Sequence, residues 1–451
     1  MMNTPICDFV KRYCESKALR AHMPGHKGRG LLGIEDVDIT EICGADSLYE
    51  ADGIIAESEK NASILFGADT YYSTEGSSQC IRAMLYLAVK YARLCGRKPL
   101  VLAGRNAHKA FMSAAVLLDF EIQWLCKEGD GSYLSCGITA SQLEREIVKS
   151  AVKPAAVYIT SPDYLGNISD IAALSVVCRK YGVLLLVDNA HGAYLKFLKD
   201  GSCHPIDLGA DICCDSAHKT LPALTGAAYL HISHNADKYF SQNVKRALDM
   251  FGSTSPSYLI LQSLDAVNKY ISQGYPERLS ECCDKVKKLK ERLAGCGFEI
   301  VGDEKQKITL APKSYGYDGR ELAEILSRKN IICEFFDRDF IVFMLTPQNS
   351  QADILTLESA LSSIKRKVPI SEVPPCFSLP KRVLSPREAS FLPQETVKLE
   401  NAQGRILSSV SVGCPPAVPI AVCGERIDAD TVKCFEYYGI TECVVVKNEA
   451  L

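Results

Sequence analysis

The stretch CDSAHKTLPALTG (residues 214–226) places a lysine, Lys219, after a serine and a histidine, in a turn of small residues that runs into the apolar LPAL. A lysine there gives up hydration, and a partly desolvated amine deprotonates more readily and becomes a better nucleophile. The plain alternative is a lysine whose chain extends from a loop to reach water. Upstream, LLLVDNAHGAYL closes an apolar run with Asp188 and sets His191 three residues further on, beside Gly192. A strand-end aspartate commonly caps the next turn. At the carboxyl edge of a sheet it can also hold the proton of a heteroaromatic ring nitrogen. In YYSTEGSSQC, Gly76, Ser77 and Ser78 stand where a turn opens a helix. Backbone N–H groups, the helix dipole and two hydroxyls there suit a phosphate, although any Gly-Ser-Ser turn before a helix looks alike. His108, in NAHKA, follows a strand-like PLVLAG. Either it caps the helix that follows, or its imidazole lies flat on a cofactor ring.

These groups need a frame that brings strand ends together. From about residue 55 to 270, helical and strand patterns alternate. SEKNASILFGA and SSQCIRAMLYLAVKYARLCG carry apolar residues at three- and four-residue spacing, the second ending on Gly96. KPLVLAG, AAVYITSP, GVLLLVDNA and GAAYLHI are short buried strands separated by helices such as ITASQLEREIVKSA and IAALSVVCRKYG. Buried strands divided by helices predict an α/β architecture with a mostly parallel sheet covered on both faces, and ligands at the carboxyl ends of the strands. A helical connector follows around 256–275. CCDKVKKLKERLAGCG, FEIVG, KITLAP, DGRELAEILSRKN, ICEFFD, FIVFML and QADILTLESALSSIKRK then describe a small α+β unit. The proline-rich VPISEVPPCFSLPKRVLSP marks a boundary near residue 367. The expected organisation is an N-terminal arm (1–54), a large domain (55–275), a small α+β domain (276–367) and a C-terminal α+β domain (368–451).

Composition narrows the partners. The chain has 451 residues, 47% of them hydrophobic, enough for two or three cores, and a formal net charge of −3. No basic block offers a surface for nucleic acid, so small-molecule partners are favoured. Twenty cysteines are scattered without zinc-type or disulfide-type spacing, which predicts no metal and suits a reducing cytosol. No run is long and apolar enough to suggest a signal segment or a membrane span; the chain is expected in the cytoplasm.

The order of the chemical groups is more informative than any one of them. A phosphate-type turn, a histidine that can face a ring, a strand-end aspartate and a lysine turn follow one another as in fold-type I pyridoxal phosphate enzymes, which the layout resembles. HMPGHKG (22–28), DITEICGADSL (38–48), NAHKA (106–110), TSPDYLGNISDI (160–171), VDNAHGA (187–193), SAHKTLPALT (216–225) and STSPSYLILQSLD (253–265) resemble the bacterial ornithine/lysine/arginine decarboxylases. The resemblance is to that family's shorter form, expected to lack an N-terminal wing domain. SPREASFLP, NAQGRI and PPAVPIAVCGERI resemble that family's C-terminal domain, so the likeness runs nearly end to end.

The resemblance implies an aspartate aminotransferase-like large domain and pyridoxal 5′-phosphate as cofactor. Lys219 would carry the covalent link to the cofactor. Gly76, Ser77, Ser78, Ser216 and His218 would surround its phosphate, His108 would stack on its ring and Asp188 would hold the ring-nitrogen proton. His191 would lie near the reacting centre, with Lys219 or His191 returning a proton to the substrate carbon. Thr254 would reach the phosphate of a neighbouring subunit, giving a homodimer with shared sites, or a higher oligomer built from it. The implied reaction is decarboxylation of arginine, lysine or ornithine, in polyamine synthesis or acid resistance. Asp46, Glu50 and Glu425 are carboxylates that could meet the basic side chain, set against their commoner role as solvated charges.

Several positions depart from the family pattern. Thr74-Glu75-Gly76-Ser77-Ser78 replaces a loop with Asn before the glycine and Thr after it, and an inward Glu75 would lower cofactor affinity. Asn189 stands where Glu is usual, Ala107 where Cys is, and TGAAYLH where a Gln-Gly-Ser type of sequence is. Cys414 and Ala417 replace aromatic and glycine residues. A lyase or an aminotransferase on the same scaffold, the latter with Arg338 as carboxylate clamp, and a cofactor-poor regulatory relative are the alternatives.

Overall fold

A computed structural model describes residues 2–126, 133–376, 379–412 and 418–450. Its principal sheet has seven strands: β1 (Asp69–Ser73), β2 (Leu100–Gly104), β3 (Glu121–Leu125), β4 (Ala156–Thr160), β5 (Leu184–Asp188), β6 (Ile212–Asp215) and β7 (Ala228–Ile232). They lie in the order β1-β7-β6-β5-β4-β2-β3. Pairs β5–β6 and β2–β3 are parallel, whereas β7 runs antiparallel to both β1 and β6. β2, β6 and β7 are buried along their whole length, as near-continuous apolar runs covered on both faces should be.

The chain falls into two compact units, one of residues 1–97, 155–157 and 171–279, the other of residues 98–154, 158–170 and 280–451. In the first, the helix Gly76–Leu94 buries a broad apolar stripe that includes Ile81, Met84, Leu85 and Ala88. The helix Ile54–Phe66 ends on Gly67 in the left-handed region, and Phe66 is fully buried. Asp265, on the helix Tyr258–Ser272, accepts from the backbone N–H of Ile6 and Cys7 and from Ser58 Oγ. One buried carboxylate thus satisfies otherwise orphaned donors at the start of the helix Pro5–Glu15.

In the second unit a four-stranded antiparallel sheet contains β8 (Ile300–Val301), β9 (Lys307–Leu310), β10 (Phe335–Phe336) and β11 (Ile341–Met344) in the order β10-β11-β9-β8. Val286, Leu289 and Leu293 of the helix Tyr275–Gly295 join Ile308, Leu310, Ile341 and Leu361 in its core. A further core holds Leu407, Phe435 and Val445 from the C-terminal segment. There the strands Gln394–Lys398 and Glu442–Val446 pair antiparallel. β1 and β3 are strands that apolar runs did not reveal, since DTYYS and EIQWL mix polar and apolar residues. Cys414 and Ala417 lie outside the described residues.

Candidate active site

Lys219 sits on a single helical turn, Ala217–Thr220, that begins directly after β6. Its side chain is half-buried, and its Nζ lies 3.0 Å from Nε2 of His191, a buried residue in the loop after β5. A primary amine in contact with an imidazole, both drawn out of bulk water, is an arrangement able to pass a proton between them. Asp188, 2% exposed, closes β5. Its Oδ1 accepts from Ala190 N at 3.2 Å and lies 3.8 Å from the Cys214 thiol, the residue opposite it across the β5–β6 pair.

The opening turn of the helix Gly76–Leu94 faces the lysine turn. Ser216 Oγ donates to Ser77 Oγ at 2.9 Å, and Gly76 N donates to Gly226 O at 2.8 Å. Gly226 has φ +97°, and a Cβ on it would stand 3.0 Å from Thr74 O. Only glycine takes that backbone conformation at so close an approach without strain. His218 Nδ1 donates to Ala227 O at 2.9 Å, which fixes the ring beside the same strand entrance. Glu75 is exposed, and its backbone N–H donates to Ser73 Oγ at 3.1 Å. Thr254 is exposed.

The first unit therefore brings together Lys219 with His191, and Ser216 with Ser77 and the helix start at Gly76. Asp188 ends the neighbouring strand. His108 belongs to the second unit, where it caps the helix Lys109–Leu118 by accepting from Ala110 N through Nδ1 at 3.2 Å.

Two of the carboxylates considered for a basic substrate are committed to other work. Asp46 accepts five backbone N–H groups, those of Ser47, Asp52, Gly53, Ile55 and Ala56. Glu425 is 1% exposed, pairs with Arg105 at 2.9 Å and accepts from Val422 N. Glu50 is exposed. Arg338 is paired with Asp318 and Glu372 and lies over the Tyr437 ring, which leaves it poorly placed as a clamp for a second substrate carboxylate. Spacing had not pointed to a buried group behind the lysine turn, Asp215 with His204 and His231.

The half-buried amine, the strand-end carboxylate and the hydroxyl-lined helix start satisfy the chemical demands of pyridoxal phosphate: a nucleophile for its aldehyde, an acceptor for its ring N–H and donors for its phosphate. Fold and residues define the class of fold-type I pyridoxal phosphate enzymes. The model of the Orn/Lys/Arg decarboxylase major domain matches residues 4–309, and that of the family's C-terminal domain matches residues 376–446. The chain belongs to the Orn/Lys/Arg decarboxylase family.

The arginine decarboxylase of Bacillus subtilis is 28% identical over 463 residues, covering 95% of this chain and 92% of that one. YaaO of the same organism, an uncharacterized protein, is 27% identical and covers 96% of this chain and 93% of its own. Among solved structures, lysine decarboxylase A of Pseudomonas aeruginosa superposes with a TM-score of 0.79 at 17% identity, over 96% of this chain and 76% of that one. The E. coli constitutive lysine decarboxylase gives 0.77 at 16% identity, over 99% and 82% of the two chains. Among the described residues no helix is long and apolar enough to cross a membrane.

Proposed function

We propose that this protein decarboxylates a basic L-amino acid, arginine, lysine or ornithine, to the corresponding amine and carbon dioxide. The observation that carries the reading is the 3.0 Å contact between Lys219 Nζ and His191 Nε2 at the end of two adjacent parallel strands. Full-length likeness to named arginine decarboxylases supports the choice of substrate class.

Bound pyridoxal phosphate would supply an electron sink for the pair released when the carboxylate leaves. Lys219 would hold the cofactor through its amine. Asp188 would keep a proton on the ring nitrogen, its charge sustained by the Ala190 N–H. Gly76, Ser77, Ser78, Ser216 and His218 would bind the phosphate, and His108 would cover the ring. Lys219 or His191 would return a proton to the substrate carbon, which their mutual contact permits.

In the same reading, residues 1–54 form an arm, 55–275 the cofactor domain, 276–367 the small domain and 368–451 the C-terminal domain. Thr254, exposed here, would reach the phosphate in a second subunit, so the working form is a homodimer with shared sites or an assembly of such dimers. No disulfide joins the described cysteines, which suits the cytoplasm.

The test is carbon dioxide release from carboxyl-labelled arginine, lysine and ornithine, by the parent protein and by Lys219→Ala. Release from one or more of the three, abolished in the variant, is expected. Borohydride reduction followed by peptide mass analysis should place the cofactor on Lys219; an adduct elsewhere would overturn the assignment.

A further inference from the structure

Behind the lysine turn lies a fully buried polar group that none of the roles above uses. Asp215, the last residue of β6, is 0% exposed, as are His204 and His231. Its Oδ2 is 3.0 Å from His204 Nε2 and 3.1 Å from His231 Nε2, and its Oδ1 accepts from Asn189 Nδ2 at 2.6 Å. The antiparallel register explains the assembly. Cys213 stands opposite His231 and Asp215 opposite Tyr229, while Thr70 faces His231 from the other side and lies 2.9 Å from its Nδ1. Residues 213 and 215 share one face of the sheet, and Phe66 closes it with ring centroids 4.5 Å from His231 and 5.7 Å from His204.

Cys214 turns to the opposite face, toward Asp188. The dipeptide Asp188-Asn189 therefore sends a carboxylate to the candidate active site and an amide to the buried anion. Gly192 accommodates that amide, since a Cβ there would stand 2.0 Å from Asn189 Oδ1.

The chemical state follows from the donors. Burial alone would push the Asp215 carboxyl up, but the two imidazoles outweigh it and hold the group below the usual carboxylate range. Burial pushes His231 down, so its neutral form, with the proton on Nε2, is the one that donates to Asp215. Among the described residues His204 Nδ1 has no hydrogen-bond partner. For a neutral ring protonated at Nε2 that leaves a bare lone pair, a modest cost. The ligand atoms of His204, Cys213, Asp215 and His231 all lie within 4.8 Å of one another, a spacing that also suits a metal. A metal on His204 Nε2, however, would force the proton onto Nδ1 and bury a donor without an acceptor.

We infer that Asp215 is a positioning residue: anchored by His204 and His231, it grips Asn189 and so holds the β5 end that carries Asp188 against the turn that carries Ser216 and Lys219. The inference rests on the pyridoxal phosphate reading for its functional consequence, not for the clamp itself.

Two variants test it. Asp215→Asn removes the anion while keeping the shape, and Asp215→Asn with Asn189→Asp moves the carboxylate across the 2.6 Å contact. Equilibrium dialysis of the apoprotein well below its melting temperature should show pyridoxal phosphate affinity reduced about tenfold or more in the single variant and largely restored in the double one. The parent should lose melting temperature as pH falls below the ordinary carboxylate range, where Asp215 takes up its proton, and the single variant should lose less there. A single variant that melts lower yet binds the cofactor as the parent does would overturn the positioning role. One equivalent of a transition metal in the purified protein would overturn the hydrogen-bonded clamp. Failure of the parent itself to bind pyridoxal phosphate would instead sink the functional reading, and the melting profiles would then decide whether the clamp exists.

Discussion

Lys219 Nζ and His191 Nε2 lie 3.0 Å apart, although 28 residues separate them in the chain. The contact exists because β5 and β6 are parallel neighbours that end at the same edge of the sheet. Two groups close enough to share a proton are thus held by two different strand ends, and either can be altered without deleting the other. Lys219→Ala should abolish covalent cofactor attachment together with turnover. His191→Gln should keep the attachment and lower kcat by about 10²–10⁴-fold, the usual worth of a positioned acid or base. Mass analysis after borohydride reduction and steady-state kinetics separate the two outcomes.

Gly226→Ala should destabilise the protein by more than about 1 kcal/mol, because its backbone has φ +97° and the new methyl would press on Thr74 O. Loss should show as a lower urea midpoint with unchanged slope. Phosphate-dependent cofactor retention should fall in the same variant, since Gly226 O anchors Gly76 N.

Asp46→Ala should cost about 2 kcal/mol or more of folding stability, since five backbone donors at the entry to the helix Ile54–Phe66 lose their acceptor. A carboxylate fully engaged this way has little to offer a substrate. At temperatures where the variant stays folded, KM for the basic amino acid should not change, whereas a substrate-binding carboxylate would raise it.

Asp337, in the second unit, is pushed up to about 6, first by burial, with neighbouring Asp339 adding to the rise and backbone N–H groups of Phe340 and Asp339 and the charge of Lys313 opposing it. A carboxyl whose folded value lies above its unfolded one binds its proton more tightly in the folded state. Its contribution is therefore complete below about pH 4 and is lost as pH rises to about 6. The cost is on the order of 2–3 kcal/mol. Asp337→Asn should flatten that part of the stability profile in urea melts taken across the window, and a profile identical to the parent's would refute the assignment.

Much of the site was legible because its groups sit at the ends of strongly apolar strands. LLLVD ends on Asp188 and ICCD leads into SAHKT, so strand-end chemistry could be read directly from the run of residues. β1 was hidden because DTYYS alternates polar and aromatic residues, and its burial comes from an antiparallel partner some 160 positions away, Asp69 against Ile232. Asp215 and His231 are concealed likewise, since they follow no motif spacing and meet through the β6–β7 register, and His204 joins them from the segment before β6. Asp46 read as a surface carboxylate because the backbone donors that engage it leave no mark on composition. Glu425 was misleading for a related reason: its buried partner, Arg105, is 320 residues away.

The Gly76–Gly226 hydrogen bond ties the rim that offers donors to an anion to the segment that leaves the lysine turn. Main-chain atoms form that tie, so no side-chain replacement can cut it outright, and the two rims must shift as one piece.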